Sequence, residues 1–211
     1  INVAGGNDGS SMNGRPGQNA FAAVEGCSLN INGGYIYIDA SGDGLDSNGS
    51  MYITSGTTIV DGPTNNGNGP LDYNGEFVMT GGYLLAVGSS GMAQAPSSSS
   101  TVNSVMITWP ALQSAGTIVH IESESGEDIL TYSPAKAYQS LLLCTPDLEA
   151  GTTYTVYSGG SSTGTKTDGL YSGGTYSGGT EFTTFKISGT VTYAGSSTGG
   201  MGIGGGMNGG G

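Results

Sequence analysis

Apolar residues recur at every second position in short runs, the period of a strand with one buried face. Leu29 and Ile31 alternate with asparagines, Gly33-Gly34 interrupts, and Tyr35, Ile36, Tyr37, Ile38 and Asp39 follow. The same layout returns at residues 51–61 around Ser55-Gly56 and at residues 77–87 around Gly81-Gly82. The polar turns match as well. Leu45-Asp46-Ser47-Asn48-Gly49 recurs as Leu71-Asp72-Tyr73-Asn74-Gly75, and the stretch from Val3 to Gly9 lines up with the stretch from Ile38 to Gly44.

A period of roughly 22–26 residues is the length of one coil of a parallel β-helix. In such a coil one row of alternating side chains fills the interior, and like residues of successive coils stack about 4.8 Å apart. The alignment therefore expects Asp8 near Asp43, Asp46 near Asp72, Asn48 near Asn74 and Asp39 near Asp61. Stacked carboxylates repel unless something neutralises them. Asp, Asn and turn carbonyls are hard oxygen ligands of the kind Ca²⁺ prefers, which makes Asp8, Asp43, Asp46, Asn48, Asp72 and Asn74 the candidate calcium ligands. The competing reading is that they supply turn hydrogen bonds.

Beyond residue 91 the pattern changes. Strand-like runs fall at residues 104–109, 117–122, 129–132, 139–144, 152–158, 181–187 and 190–193, separated by turn signals. Seven short strands without a helix predict a small β-sandwich. A long Gly-rich loop within it (residues 159–180) reads as a binding or mobile element. The expected fold is all-β, with a short right-handed parallel β-helix (1–91), a linker or cap (92–102), a β-sandwich-like domain (103–194) and a Gly/Met-rich tail (195–211).

Composition narrows the partners. The chain of 211 residues has 42 Gly, 4 Lys plus Arg and 16 Asp plus Glu, for a net charge of −12. So few cations exclude the clustered basic surface that nucleic acid or an anionic membrane needs. No apolar run reaches the ~20 residues of a membrane span. Cys27 and Cys144 form no CxxC pair; the reading is free thiols, with a disulfide as the alternative. The start at Ile1 reads as a mature or excised segment, with any targeting signal upstream.

Asp43-Gly44-Leu45-Asp46-Ser47-Asn48-Gly49, the run from Gly62 to Gly75 with Leu71-Asp72-Tyr73-Asn74, and the run from Gly88 to Pro96 resemble the C-terminal part of bacterial carbohydrate-binding domain-containing proteins. The resemblance spans roughly residues 1–193. It implies a cell-surface, right-handed parallel β-helix similar to pectate lyases. It further implies binding of plant cell-wall polymers such as polygalacturonate and cellulose, calcium held by turn Asp residues (Asp43, Asp46, Asn48, Asp72 and Asn74 match the motifs) and no catalysis.

Nothing in the residues argues for an enzyme. The one histidine, His120, falls inside an alternating strand and reads as a strand-surface residue. A pectate-lyase-like reaction needs a cationic base, and the repeat half offers only Arg15, in a turn-like insertion. For sugar binding, flat rings stack on exposed aromatics. Tyr73, beside Asp72 on a polar turn, is the first-choice platform, with Tyr35 and Tyr83 aligned one repeat apart around Thr57. The function expected is extracellular polysaccharide binding or adhesion, calcium-assisted. A subunit of a cell-surface filament is the alternative, assembled through an open β-helix end or the Gly-rich tail.

Overall fold

The computed structural model describes residues 1–3 and 23–196, and every regular element among them is a β-strand. The all-β class is as expected. The first seven strands are β1 (Asn2–Val3), β2 (Ser28–Asp39), β3 (Leu45–Ser47), β4 (Ser50–Asp61), β5 (Leu71–Tyr73), β6 (Phe77–Met79) and β7 (Tyr83–Gly88). Among themselves they pair only in parallel. β1, β3 and β5 make a three-stranded sheet in which Leu45 faces Leu71 and Asp46 faces Asp72. β2 lies on β4, with Leu29 against Met51 and Asp39 against Asp61, and β4 lies on β6 and β7.

Small residues at the middle of each repeat turn the strand and reverse its facing. Before the break the odd-numbered Leu29, Ile31, Met51, Ile53, Phe77 and Met79 point into one core; after it the even-numbered Val60, Leu84 and Ala86 do. The reversal needs a backbone that L side chains avoid. Gly56 has φ 90°, and a Cβ there would meet the carbonyl carbon of Gly33 at 2.6 Å; Gly82 (φ 84°) repeats the arrangement one strand on, against Gly56.

The second half comprises β8 (Ser104–Gln113), β9 (Val119–Ser123), β10 (Asp128–Tyr132), β11 (Tyr138–Cys144), β12 (Thr153–Ser162), β13 (Thr165–Thr167), β14 (Leu170–Ser172), β15 (Tyr176–Lys186) and β16 (Val191–Gly195). These strands do not stand apart from the repeats. β11 pairs antiparallel with β7, Leu141 facing Val87, so one mixed sheet runs β16-β8-β11-β7-β4-β2, with β6 also on β4. This departs from the expected succession of β-helix and sandwich. An antiparallel partner satisfies the exposed edge of β7, and the parallel stack does not continue past it. The other strands form a sheet in the order β13-β14-β10-β9-β12-β15.

The mixed sheet is thus packed on both faces. Between it and the β1-β3-β5 sheet lie Leu45, Leu71, Met51, Phe77, Leu142 and Cys144. Between it and the β10-containing sheet lie Ile59, Leu85, Val87, Trp109, Tyr132 and Leu143. Each fully buried aliphatic or Phe side chain contributes about 1.5–3 kcal/mol relative to exposure. Trp109 centres the second core, edge-on to Tyr138 (5.1 Å) and stacked on Phe182 (5.2 Å). The segment before β8 lies along β6: Phe77 and Met79 donate backbone N–H bonds to the hydroxyls of Ser97 and Ser100, and Thr101 N–H donates to the Met79 carbonyl.

Candidate functional site: a cleft between the two larger sheets

The site begins at the corner glycines. Just past them, register places Tyr35 beside Thr57 and Thr57 beside Tyr83, on three adjacent strands. Over Thr57 and Tyr83 comes the start of β10, and beside β10 in the same sheet the β13–β14 hairpin. Together they enclose a cleft of about 450 Å³, lined by Thr57, Tyr83, Asp128, Thr131, Leu170 and Tyr171 among others. Pockets that hold small ligands fall in this size range.

The hairpin reaches the cleft by an unusual route. β12 and β15 form a long antiparallel pair on one side of the sheet, yet β14, which follows β12 after one short strand, pairs with β10 on the other side. Its attachment to β10 is small: Leu170 faces Tyr132, and Ser133 N–H donates to the Gly169 carbonyl. Its tip is held from below, where the Tyr35 hydroxyl donates to Asp168 Oδ2 at 2.9 Å.

The polar groups of the cleft have distinct states. The Tyr83 hydroxyl is buried and lacks a hydrogen-bond partner. Burial, then the charges of Asp147 and Asp128, pushes its pKa well above the usual tyrosine value, so it stays a neutral donor. Asp128 is exposed, and both its carboxylate oxygens lie near Thr131 Oγ1, at 3.2 and 3.1 Å. Thr131 Oγ1 is 2.8 Å from His120 Nδ1. His120 Nε2 lies 3.5 Å from Glu122, which accepts the Tyr157 hydroxyl at 2.9 Å. His120 was expected on the strand surface; it is 3% exposed, because Tyr176 stacks on it at 3.9 Å.

The other residues singled out from sequence fall elsewhere. Tyr73, the expected platform, is half-buried. It packs edge-on to Phe77, its hydroxyl donates to the Ala95 carbonyl at 2.6 Å and its N–H to Gln94 Oε1 at 3.0 Å. The segment at 94–95 covers the turn that was expected to be open, and burial pushes the phenol up to about 12. Tyr35 remains 52% exposed, and Tyr52, on the outer face of β4, 37%.

Asp46 stacks on Asp72 as expected, and Asp46 also accepts the Asn2 amide at 2.6 Å. Asp43 accepts the Gly69 N–H at 2.8 Å. Asn48 is buried, and the register continues past it, with Asn74 N–H donating to Ser47 and Gly75 N–H to Gly49. Asp8 and Arg15 lie outside the described residues. Among the described residues no three His, Cys, Asp or Glu side chains converge as a metal site. Asp39 and Asp61 also stack, and here the neutralising charge is Lys136, 2.6 Å from Asp39. Asp61 accepts the Tyr37 hydroxyl (3.0 Å) and the Ala135 N–H (3.3 Å). Cys27 and Cys144 are free thiols.

A second recess, of about 480 Å³, lies beside Cys27, Ser50 and Tyr52. Its wall begins at Ala23, where the described chain resumes after residue 22. Asp128 and Tyr171 carried no sequence signal toward the cleft over Thr57: Asp128 opens an ordinary strand, and Tyr171 is brought there by the folding-back of a Gly-rich run.

Fold and cleft together define an all-β protein with one mixed sheet covered on both faces and a hydroxyl- and tyrosine-lined cleft at its corner. Comparison with family models, with curated proteins and with solved structures gave no match.

Proposed function

We propose that this chain is a non-catalytic extracellular binding protein for hydroxyl-rich polysaccharide, and that the cleft over Thr57 holds a sugar segment of that polymer. The observation that carries the reading is the Thr57-Tyr83 floor with Tyr171 and Asp128 on the wall above it, flanked by Tyr35, the exposed register neighbour of Thr57. Tyrosine rings stack on pyranose faces, and a carboxylate with hydroxyl neighbours accepts sugar hydroxyls. Among the described residues that line the cleft, Asp128 is the single carboxylate. Glycoside hydrolysis ordinarily takes a pair, so the lining favours binding over cleavage.

The parallel repeats fit this role as coils of a β-helix that present the corner row, the arrangement implied by the resemblance to cell-surface carbohydrate-binding proteins. Calcium enters the reading at the stacked Asp46 and Asp72. The test is affinity electrophoresis through gels containing neutral and acidic plant polysaccharides, with Tyr35→Ala and Tyr171→Ala as variants. Retardation that both variants reduce supports the reading. Retardation that neither changes removes the cleft from it.

A second reading is a subunit of a surface filament. It draws on β2, which ends its sheet among the described residues with β4 as its partner. Light scattering separates the two: concentration-dependent growth in mass favours the filament.

A further inference from the structure

We propose that the cleft selects neutral sugars over uronic acids, and that Asp128 makes the selection. This rests on the cleft being a sugar site, as proposed above. Asp128 is the only charged side chain among the described residues that line it; the others are hydroxyl, apolar or glycine. A uronate bound there would bring its carboxylate beside a second one, and like charges a few ångströms apart disfavour each other.

Asp128 is oriented by Thr131. Thr131 Oγ1 lies within 3.2 Å of both of its oxygens, and Thr131 is itself braced by His120 at 2.8 Å. His120 also lies 3.7 Å from Asp128, but it is sealed beneath Tyr176 and beside Glu122, out of a ligand's reach. Lys166, the basic residue of the hairpin, sits 5.9 Å from the centre of the Tyr171 ring and does not line the cleft. Asp168 adds a further negative charge at the hairpin tip, where it accepts the Tyr35 hydroxyl.

A neutral sugar meets the opposite situation. An ionised carboxylate has about four lone-pair sites. Those that Thr131 leaves can accept adjacent ring hydroxyls, and Thr57 adds a hydroxyl-bearing side chain to the lining. The acidic polymers implied by the family resemblance would therefore be the poorer ligands of this chain.

The test uses matched oligosaccharides that differ only at C6: β-1,4-glucan and β-1,4-mannan hexamers and their fully oxidised uronate counterparts. Binding is read by calorimetry in chelator, for the wild type, Asp128→Asn, Asp128→Ser and Tyr35→Ala. The expected result is binding of a neutral hexamer with a Kd on the order of tenfold below that of its uronate partner. Both Asp128 variants should narrow that gap, and Tyr35→Ala should weaken both ligands alike. Equal affinity for both members of a pair, or an unchanged gap in the Asp128 variants, overturns the selection. Uronate-only binding that Tyr35→Ala abolishes overturns it too, while leaving the cleft as the sugar site. Binding of neither series overturns both readings.

Discussion

The hydroxyl of Tyr35 donates to Asp168 across 133 residues of sequence, and this bond ties the β13–β14 hairpin to the edge strand beneath it. Asp168 is the one non-glycine residue with a left-handed backbone among those described, at φ 47°. Asp tolerates that region better than most side chains. Tyr35→Phe removes the bond and leaves the ring. Because both partners are exposed, global stability should fall by no more than about 1 kcal/mol. The hairpin should respond more. Its remaining tie to β10 is small, so amide exchange over residues 165–172 should quicken several-fold while the core strands are unaffected. Unchanged exchange there would mean that the latch holds nothing.

Asp72 tests the stacked turns. Burial raises its pKa, and the charge of Asp43 raises it further. A carboxyl whose folded pKa lies above its unfolded one binds more protons in the folded state. Its contribution to stability is then lost as pH rises through the folded value, and the charged form costs stability at neutral pH. Asp72→Asn should therefore raise Tm at pH 7 in chelator. The gain should shrink as pH falls and vanish below the ordinary carboxyl value. If calcium bridges Asp46 and Asp72, the same variant lowers Tm when calcium is added. Thermal melts at several pH values, with calcium and with chelator, separate these outcomes.

Tyr73 tests whether the polar turn is a platform or part of the packing. Tyr73→Phe keeps the edge-on contact with Phe77 and removes the 2.6 Å bond to Ala95. The loss should be about 1 kcal/mol, with faster proteolysis near residues 94–102. Polysaccharide binding should not change. A loss of binding with unaltered stability would restore Tyr73 as a contact residue.

The stacking of the repeats was legible because each turn must return the chain to the same place. Matching Leu45-Asp46 to Leu71-Asp72, or Tyr35 to Thr57 to Tyr83, reads register directly from sequence, and the structure places these residues side by side. The antiparallel join of Leu141 to Val87 had no such signature. Alternating runs show that a strand exists and say nothing of which edge it takes. The cleft was half legible for the same reason. Its floor lies within the repeats, whereas Asp128 opens a strand whose place in the sheet is not given by alternation, and Tyr171 arrives by way of a Gly-rich hairpin. Tyr73 and His120 are more covered than their positions in sequence imply, because their covers, Ala95 and Tyr176, come from the stretches with the weakest pattern.

The corner at Gly56 carries both fold and cleft, so Gly56→Ala examines the two together. Two costs add there. A left-handed backbone with a Cβ costs roughly 1–2 kcal/mol. The new methyl would also lie 2.6 Å from both the carbonyl carbon of Gly33 and the carbonyl oxygen of Gly34 on the neighbouring strand. Those are backbone atoms between the paired residues Asn32 and Tyr35 of β2, so they cannot rotate away as a side chain would. Separating β2 from β4 at the corner relieves the clash, and that moves Tyr35 away from Thr57, its register partner. The expected result is a lowered Tm together with weaker polysaccharide binding at temperatures where the variant is still folded. Gly34 (φ 86°) is the control: a Cβ there meets nothing within 4 Å, so Gly34→Ala incurs the backbone cost alone. A Gly56→Ala variant no less stable than Gly34→Ala would show that the strands are not in close contact at this corner.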